Sequence, residues 1–313
     1  MNGGAPGVIP LRPRRVLLDT NAVGSLYEPR QRRSHEDLAM VRNLLADRVR
    51  NGSVQVVVAY RLIEEYAPVQ RFEPARYAAT LDYLQRLVGP HLLLPVDQLV
   101  EREGRARRRL RYNECVFDPA TRDALWRLAR SPEALDAVGL EIDEMKNDHA
   151  VKMERQRARA HEIYLERRLG ETIAKDGAKP PTIDEVTRIW GKQEVRAQID
   201  GWTLDTLKQM VADKKLVSPE AADLPASAIP TLRAMTAYYM ARIVLNVGHG
   251  ERIQGSDLFD HYHYSSAVYA DAIVSDDAAF TRSVNIIDDK PVWTFEKLRD
   301  SLLRGLCGPV ADL

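Results

Sequence analysis

The strongest constraint on this chain is a set of short apolar runs that hardly alternate: Val16-Leu17-Leu18, Val54 to Val58, Leu92-Leu93-Leu94 and Ala272-Ile273-Val274. A strand with one wet face alternates apolar and polar residues. A run without alternation belongs to a strand covered on both faces, as in a parallel sheet between helices. Helical patterns lie between the runs. His35 to Arg50 puts Leu38, Val41, Leu44, Leu45 and Val49 on one face and stops at Asn51-Gly52. A second helix is expected from Tyr60 to about Ala67, ahead of Pro68, and a third from about Pro74 to Val88, ahead of Gly89. The first hundred residues thus read β-α-β-α-α-β, the order of an open α/β sheet.

From about Asp97 to Ile229 strand signals vanish, charged residues crowd in, and apolar residues recur at helical spacing. The expected organisation is a discontinuous α/β core, residues 14–96 and 230–305, interrupted by an all-helical insertion over 97–229. Within the insertion, Glu133 to about Ile173 reads as one long helix or a kinked pair, Asp176 to Pro181 as a loop, and Thr203 to Val211 as helix. Leu232 to Val247 reads as an apolar helix, and residues 1–13 and 306–313 as flexible termini.

Charge adds only exclusions. Lys and Arg number 45, as do Asp and Glu, so no strongly basic nucleic-acid coat and no acidic tail is present. Two cysteines, Cys115 and Cys307, make neither a disulfide framework nor a Cys-rich zinc site. No stretch approaches the ~18 apolar residues of a membrane span, and Met1 to Arg15 lacks the apolar run of a signal peptide. The expectation is a soluble, cytoplasmic protein without a membrane partner; its oligomeric state is left open.

In open α/β sheets ligands bind beyond the carboxyl ends of the strands, and there the chain repeatedly places acids. Asp19 follows the first run, Glu64 and Glu65 lie on the helix after the second, Asp257 and Asp260 open a helix after Gly255-Ser256, and Asp276-Asp277 follow Ala272 to Ser275. Singly, each has an ordinary structural role, as turn residue, solvated helix face, helix-N-terminal acid or loop cap. Gathered at one edge they would repel, and a hard divalent cation with oxygen ligands, Mg²⁺ or Mn²⁺, relieves that repulsion.

The ordered set resembles the PIN-domain nucleases. Leu18-Asp19-Thr20-Asn21 looks like that family's first motif, Glu65 stands where its Glu stands, and Asp260 and Asp277 resemble its third and fourth acids. Val292 to Leu298 resembles its closing strand and helix. The likeness covers roughly Arg14 to Pro95 and Leu232 to Leu303. Ser275 stands where the family usually has Thr, and the long insertion is a departure. The resemblance implies a PIN-like core in which Asp19, Glu65, Asp260 and Asp277 hold Mg²⁺ or Mn²⁺ and activate water against a phosphodiester. It implies Asp257 at a second ion, and Asn21 and Ser275 as orienting groups. Glu64 and Asp276 leave the ligand register open by one residue, with Glu65 and Asp277 the expected choices.

RNA is the expected substrate, so basic help is needed outside the acidic pocket. Arg102, Arg105, Arg108 and Arg109, with Arg107 and Arg111 nearby, are expected on the helix that opens the insertion, with Arg105, Arg108 and Arg109 on one face. The alternative for that run is a solvated face paired with Glu101 and Glu103. Lys152, Arg155, Arg157 and Arg159 form a second basic stretch. His261 and His263 point about 200° apart on a helix, which favours packing over a zinc site. The leading function is an endoribonuclease, with a toxin of a toxin-antitoxin or defence pair suggested by the family's smaller members. Its antitoxin or other protein partner would meet the insertion. A non-catalytic scaffold and a structure-specific DNA nuclease are the rivals.

Overall fold

A computed structural model describes residues 11–27, 34–131, 192–213, 219–249, 257–287, 290–305 and 310–311, with isolated positions between 134 and 190. The strands are β1 (Leu11–Arg12), β2 (Arg14–Leu18), β3 (Val54–Ala59), β4 (Leu92–Leu93), β5 (Ala272–Val274), β6 (Val292–Trp293) and β7 (Val310–Ala311). The helices are α1 (Thr20–Ser25), α2 (His35–Arg50), α3 (Tyr60–Tyr66), α4 (Val69–Phe72), α5 (Pro74–Val88), α6 (Val96–Ala106), α7 (Pro119–Leu128), α8 (Gln193–Ala212), α9 (Pro230–His249), α10 (Asp257–Ser266), α11 (Ala278–Ile287) and α12 (Phe295–Leu303).

Five strands form one all-parallel sheet in the order β4-β3-β2-β5-β6. The apolar runs supply its buried centre: Val16, Leu17, Leu18, Val56, Val57, Val58, Ile273 and Val274 have no exposed surface. Burying a Val, Leu or Ile side chain in this way stabilises the fold by roughly 1.5–3 kcal/mol. Successive strands move one way from β2 through β3 to β4 and the other way from β5 to β6. Right-handed crossovers therefore set the two groups of helices on opposite faces. Accordingly α2 packs with α12, and α9 with α10 and α11. The direction reverses between β2 and β5, where an open sheet parts to leave a crevice.

Local chemistry fixes the element ends. Ser34 and Asp37 cap α2 reciprocally, and Gly52, with φ 74°, provides the left-handed stop after Asn51. The outer edge of β4 is covered by Cys115 to Phe117, through Leu94 N–H to Cys115 O at 2.9 Å and Phe117 N–H to Leu92 O at 3.1 Å. That closes an edge open to pairing with another chain.

Three expectations need correction. Leu11–Arg12 pairs antiparallel with Val310–Ala311, and Arg12 forms a two-bonded ion pair with Asp271 at 2.6 and 2.7 Å, so these parts of the supposedly flexible termini are tied down. The helix that follows β4 ends at Ala106, where Arg107 adopts a left-handed conformation (φ 56°). Arg108 and Arg109 therefore lie beyond the helix and share no face with Arg105. Glu103 is fully buried rather than a solvated partner of the arginines. It accepts hydrogen bonds from the Thr231 backbone (3.2 Å), the Thr231 hydroxyl (2.6 Å) and the Tyr269 hydroxyl, and so caps the start of α9.

The described ends of the segment 97–229 pack into the body of the protein. Leu99, Leu110, Phe117 and Trp126 share the main core, and Ile199 and Leu207 of α8 join apolar clusters with α9. The expected long helix from 133 to 173, the loop at 176–181 and the basic stretch Lys152 to Arg159 fall almost wholly outside the described residues. No helix among the described residues is long and apolar enough to cross a membrane.

Candidate functional site

The acids come from the carboxyl ends of β2 and β5 and from the helices beside them, at the reversal of strand order. Asp19 leaves β2 and caps α1, its Oδ1 accepting from Ala22 N–H at 2.6 Å. Only 2% of the residue is exposed, and Oδ2 is buried with no hydrogen-bond partner. Burial pushes the Asp19 carboxyl up to about 7, against the pull of Ser275, the Ala22 N–H and His263, and Glu65 adds to the rise.

Asp260 lies in the first turn of α10, with Asp257 one turn before it. Enclosure drives its carboxyl well above the usual range, helped by the negative charges of Asp277, Glu65, Asp257 and Asp19 in that order. Those four influences place all five carboxylates in one electrostatic neighbourhood. Asp277 stands before α11, with Oδ1 accepting from Phe280 N–H at 2.8 Å and its own N–H donated to Ser275 Oγ at 3.0 Å.

The doublets separate. Glu65 turns toward Thr20 and His263, whereas Glu64 pairs with Arg61. Asp276 Oδ2 accepts from Ser25 Oγ at 2.7 Å and Oδ1 from Phe295 N–H at 2.9 Å, which locks the end of α1 to the start of α12. Asp257, almost fully buried, pairs with the equally buried Arg242 at 3.1 Å. That guanidinium balances one negative charge beside the cluster. Asn21 is half-buried on α1, and no hydrogen bond ties it to the acids.

His263 was not among the expected site residues. It is 1% exposed, with Nε2 3.1 Å from Glu65 Oε2 and 3.3 Å from Thr20 Oγ1. His261 instead packs against α9, with Nε2 2.8 Å from Met235 O and its ring stacked on Tyr239. The signal for His263 lay in spacing: Asp260 and His263 stand three residues apart and are neighbours on one side of the helix.

The arginines have other partners. Helix α6 leaves the end of β4 and packs against α9 and α10. Arg109 bonds to Val268 O and lies over Tyr269, both just before the start of β5. Arg108 donates two hydrogen bonds to the Glu114 carboxylate at 2.9 Å, Arg102 donates to Glu114 O at 2.9 Å, and Arg105 pairs with Glu101. Of the expected nucleic-acid track, Arg109 is thus held beside the segment that leads into β5, and Arg102, Arg105 and Arg108 are engaged by Glu101 and Glu114.

Chemically, the described residues offer carboxyl oxygens and the His263 imidazole here, with burial favouring the protonated forms of Asp19 and Asp260. Among the described residues, no three His, Cys, Asp or Glu side chains stand close enough together to hold an ion as they are placed. The carboxylates act on one another through the field rather than by shared contact. No protein-family model matches the chain, and no curated protein and no solved structure is significantly similar to it.

Proposed function

We propose that the chain is a PIN-like, metal-dependent nuclease that hydrolyses RNA phosphodiester bonds. One observation supports the reading: carboxylates from the end of β2, from α3, from α10 and from the β5–α11 turn lie within electrostatic range of one another, and one of their oxygens, Asp19 Oδ2, is buried without a partner. Leaving such an atom unsatisfied is costly, and a hard cation is the partner that suits an all-carboxylate set. Asp19, Asp260, Asp277 and Glu65 would hold Mg²⁺ or Mn²⁺, after side-chain rotations that bring them from field range to contact. When bound, the ion supplies charge stabilisation at a phosphoryl oxygen and a water of lowered pKa. The chain's own part is to exclude bulk water with the apolar walls of β2 and β5 and to fix the carboxylates through Ala22, Phe280, Thr20 and His263.

A second reading, a non-catalytic scaffold of the same fold, is favoured by the absence of a ready three-donor cluster among the described residues. The deciding experiment incubates the purified chain with Mn²⁺ and either a mixed RNA pool or a matching DNA pool, alongside Asp19→Asn. Divalent-dependent RNA cleavage that disappears in Asp19→Asn is the expected result. Cleavage of DNA alone would move the substrate class, and no cleavage together with no Mn²⁺ binding would establish the scaffold reading instead.

A further inference from the structure

We infer that His263 is the positioning residue for Glu65, holding that carboxylate by one oxygen so that the other is kept for a ligand. The inference rests on the metal-site reading above and assigns a role outside the carboxylate set. Both hydrogen bonds to the Glu65 side chain, from the Thr20 hydroxyl and from His263 Nε2 at 3.1 Å, fall on Oε2. Among the described residues, Oε1 has no hydrogen bond. Three elements therefore meet on a single oxygen: α3 brings Glu65, the first residue of α1 brings Thr20, and α10 brings His263. A carboxylate on a helix surface has several rotamers, and two donors on one oxygen select among them.

A packing role accounts poorly for the same histidine. His263 is 1% exposed, and its Nδ1 is buried with no hydrogen-bond partner. A buried nitrogen without a partner costs stability, and an apolar side chain of similar size would fill the place without that cost. His261, two residues earlier, shows what packing looks like here: its Nε2 meets a backbone carbonyl and its ring is stacked on Tyr239. His263 spends its polar atom on a site carboxylate instead. Its place three residues after Asp260 also puts it on the helix face that carries the acids.

The test measures Mn²⁺ affinity of the full chain by calorimetry, so it does not depend on turnover. His263→Leu removes the donor and is expected to weaken Mn²⁺ binding about ten- to a hundredfold, the usual range for losing an outer-shell partner. His263→Gln places an amide donor near the position of Nε2 and is expected to return affinity to within about threefold of wild type. In a Glu65→Gln background, His263→Leu should have no further effect, because the group it positions is gone. Wild-type affinity in His263→Leu, failure of Gln to rescue, or an undiminished loss in the Glu65→Gln background would each overturn the assignment. If His263→Leu folds poorly, Thr20→Val removes the other donor to the same oxygen; it is expected to weaken Mn²⁺ binding, and full affinity there overturns the assignment as well. A wild-type chain that binds no Mn²⁺ defeats the metal-site reading and this inference together, whereas tight wild-type binding indifferent to His263 defeats the inference alone.

Discussion

Asp19 shows how a single residue carries opposing demands. Its carboxyl is pushed up to about 7 by burial, so between the ordinary carboxylate pKa near 4 and pH 7 the folded state binds a proton that the unfolded chain has lost. Stability contributed by this group therefore falls as pH rises through that window. Asp19→Asn removes the charge, and is expected to raise stability in a metal-free buffer by on the order of 1–3 kcal/mol at pH 8 and by little at pH 4. Urea midpoints at the two pH values check this, and equal midpoint changes at both would refute it. Asp276 is the opposite case. Both its oxygens accept hydrogen bonds, from Ser25 and Phe295, so Asp276→Asn should cost roughly 1–2 kcal/mol while leaving Mn²⁺ affinity unchanged. Loss of Mn²⁺ binding in a stably folded Asp276→Asn would place that residue in the site after all.

At the scale of elements, α6 is set by its two ends. Pro95 precedes its first turn, and Arg107 ends it in a left-handed conformation that L-residues adopt only at a cost of about 1–2 kcal/mol. Glycine is free of that cost, so Arg107→Gly is expected to stabilise the protein by about 0.5–1 kcal/mol once glycine's own entropy is counted. A lower urea midpoint for Arg107→Gly would contradict the backbone assignment. Four residues before that turn, Glu103 joins α6 to α9 and to Tyr269, buried where a solvated residue was expected. Glu103→Ala should therefore destabilise by roughly 2–3 kcal/mol, against the ±0.5 kcal/mol usual for a surface change. Thermal or chemical unfolding distinguishes the two outcomes directly.

Across the whole molecule, β5 has acids after its end and Arg109 beside the segment before its start. The acids stand beyond the ends of β2 and β5, and the arginines that follow α6 lie by Val268 and Tyr269, ahead of the start of β5. Arg105, Arg108 and Arg109 are engaged by Glu101, Glu114 and Val268 rather than by the acids, so a substrate of two or three nucleotides held at the acids need not touch them. Replacing Arg105, Arg108 and Arg109 together by Gln is thus expected to leave Mn²⁺-dependent cleavage of such a short RNA within about twofold, and to reduce only the salt dependence with which long RNA binds. Loss of short-substrate cleavage with the fold intact would mean that the arginines approach the acids more closely than these contacts indicate.

The sequence by itself determined the elements. Unalternating Val, Leu and Ile runs can be satisfied only as strands covered on both faces, and α2 is found over the same residues, His35 to Arg50, that periodicity and the Asn51-Gly52 stop mark out. It also placed an acid after nearly every strand, because that placement is a local matter of chain order. The arrangement of those acids was not local. Asp19 and Asp277 come from opposite ends of the chain and become neighbours only because β2 pairs with β5, a choice made by long-range packing. Which member of each doublet faces the crevice was equally hidden, since adjacent residues differ by about 100° on a helix and only Arg61, Ser25 and Phe295, supplied by the surrounding fold, take up Glu64 and Asp276. The partner of His263 was hidden for the same reason: a histidine at helical spacing gains one only when another element presents it, and Glu65 reaches it from a helix near the other end of the sequence.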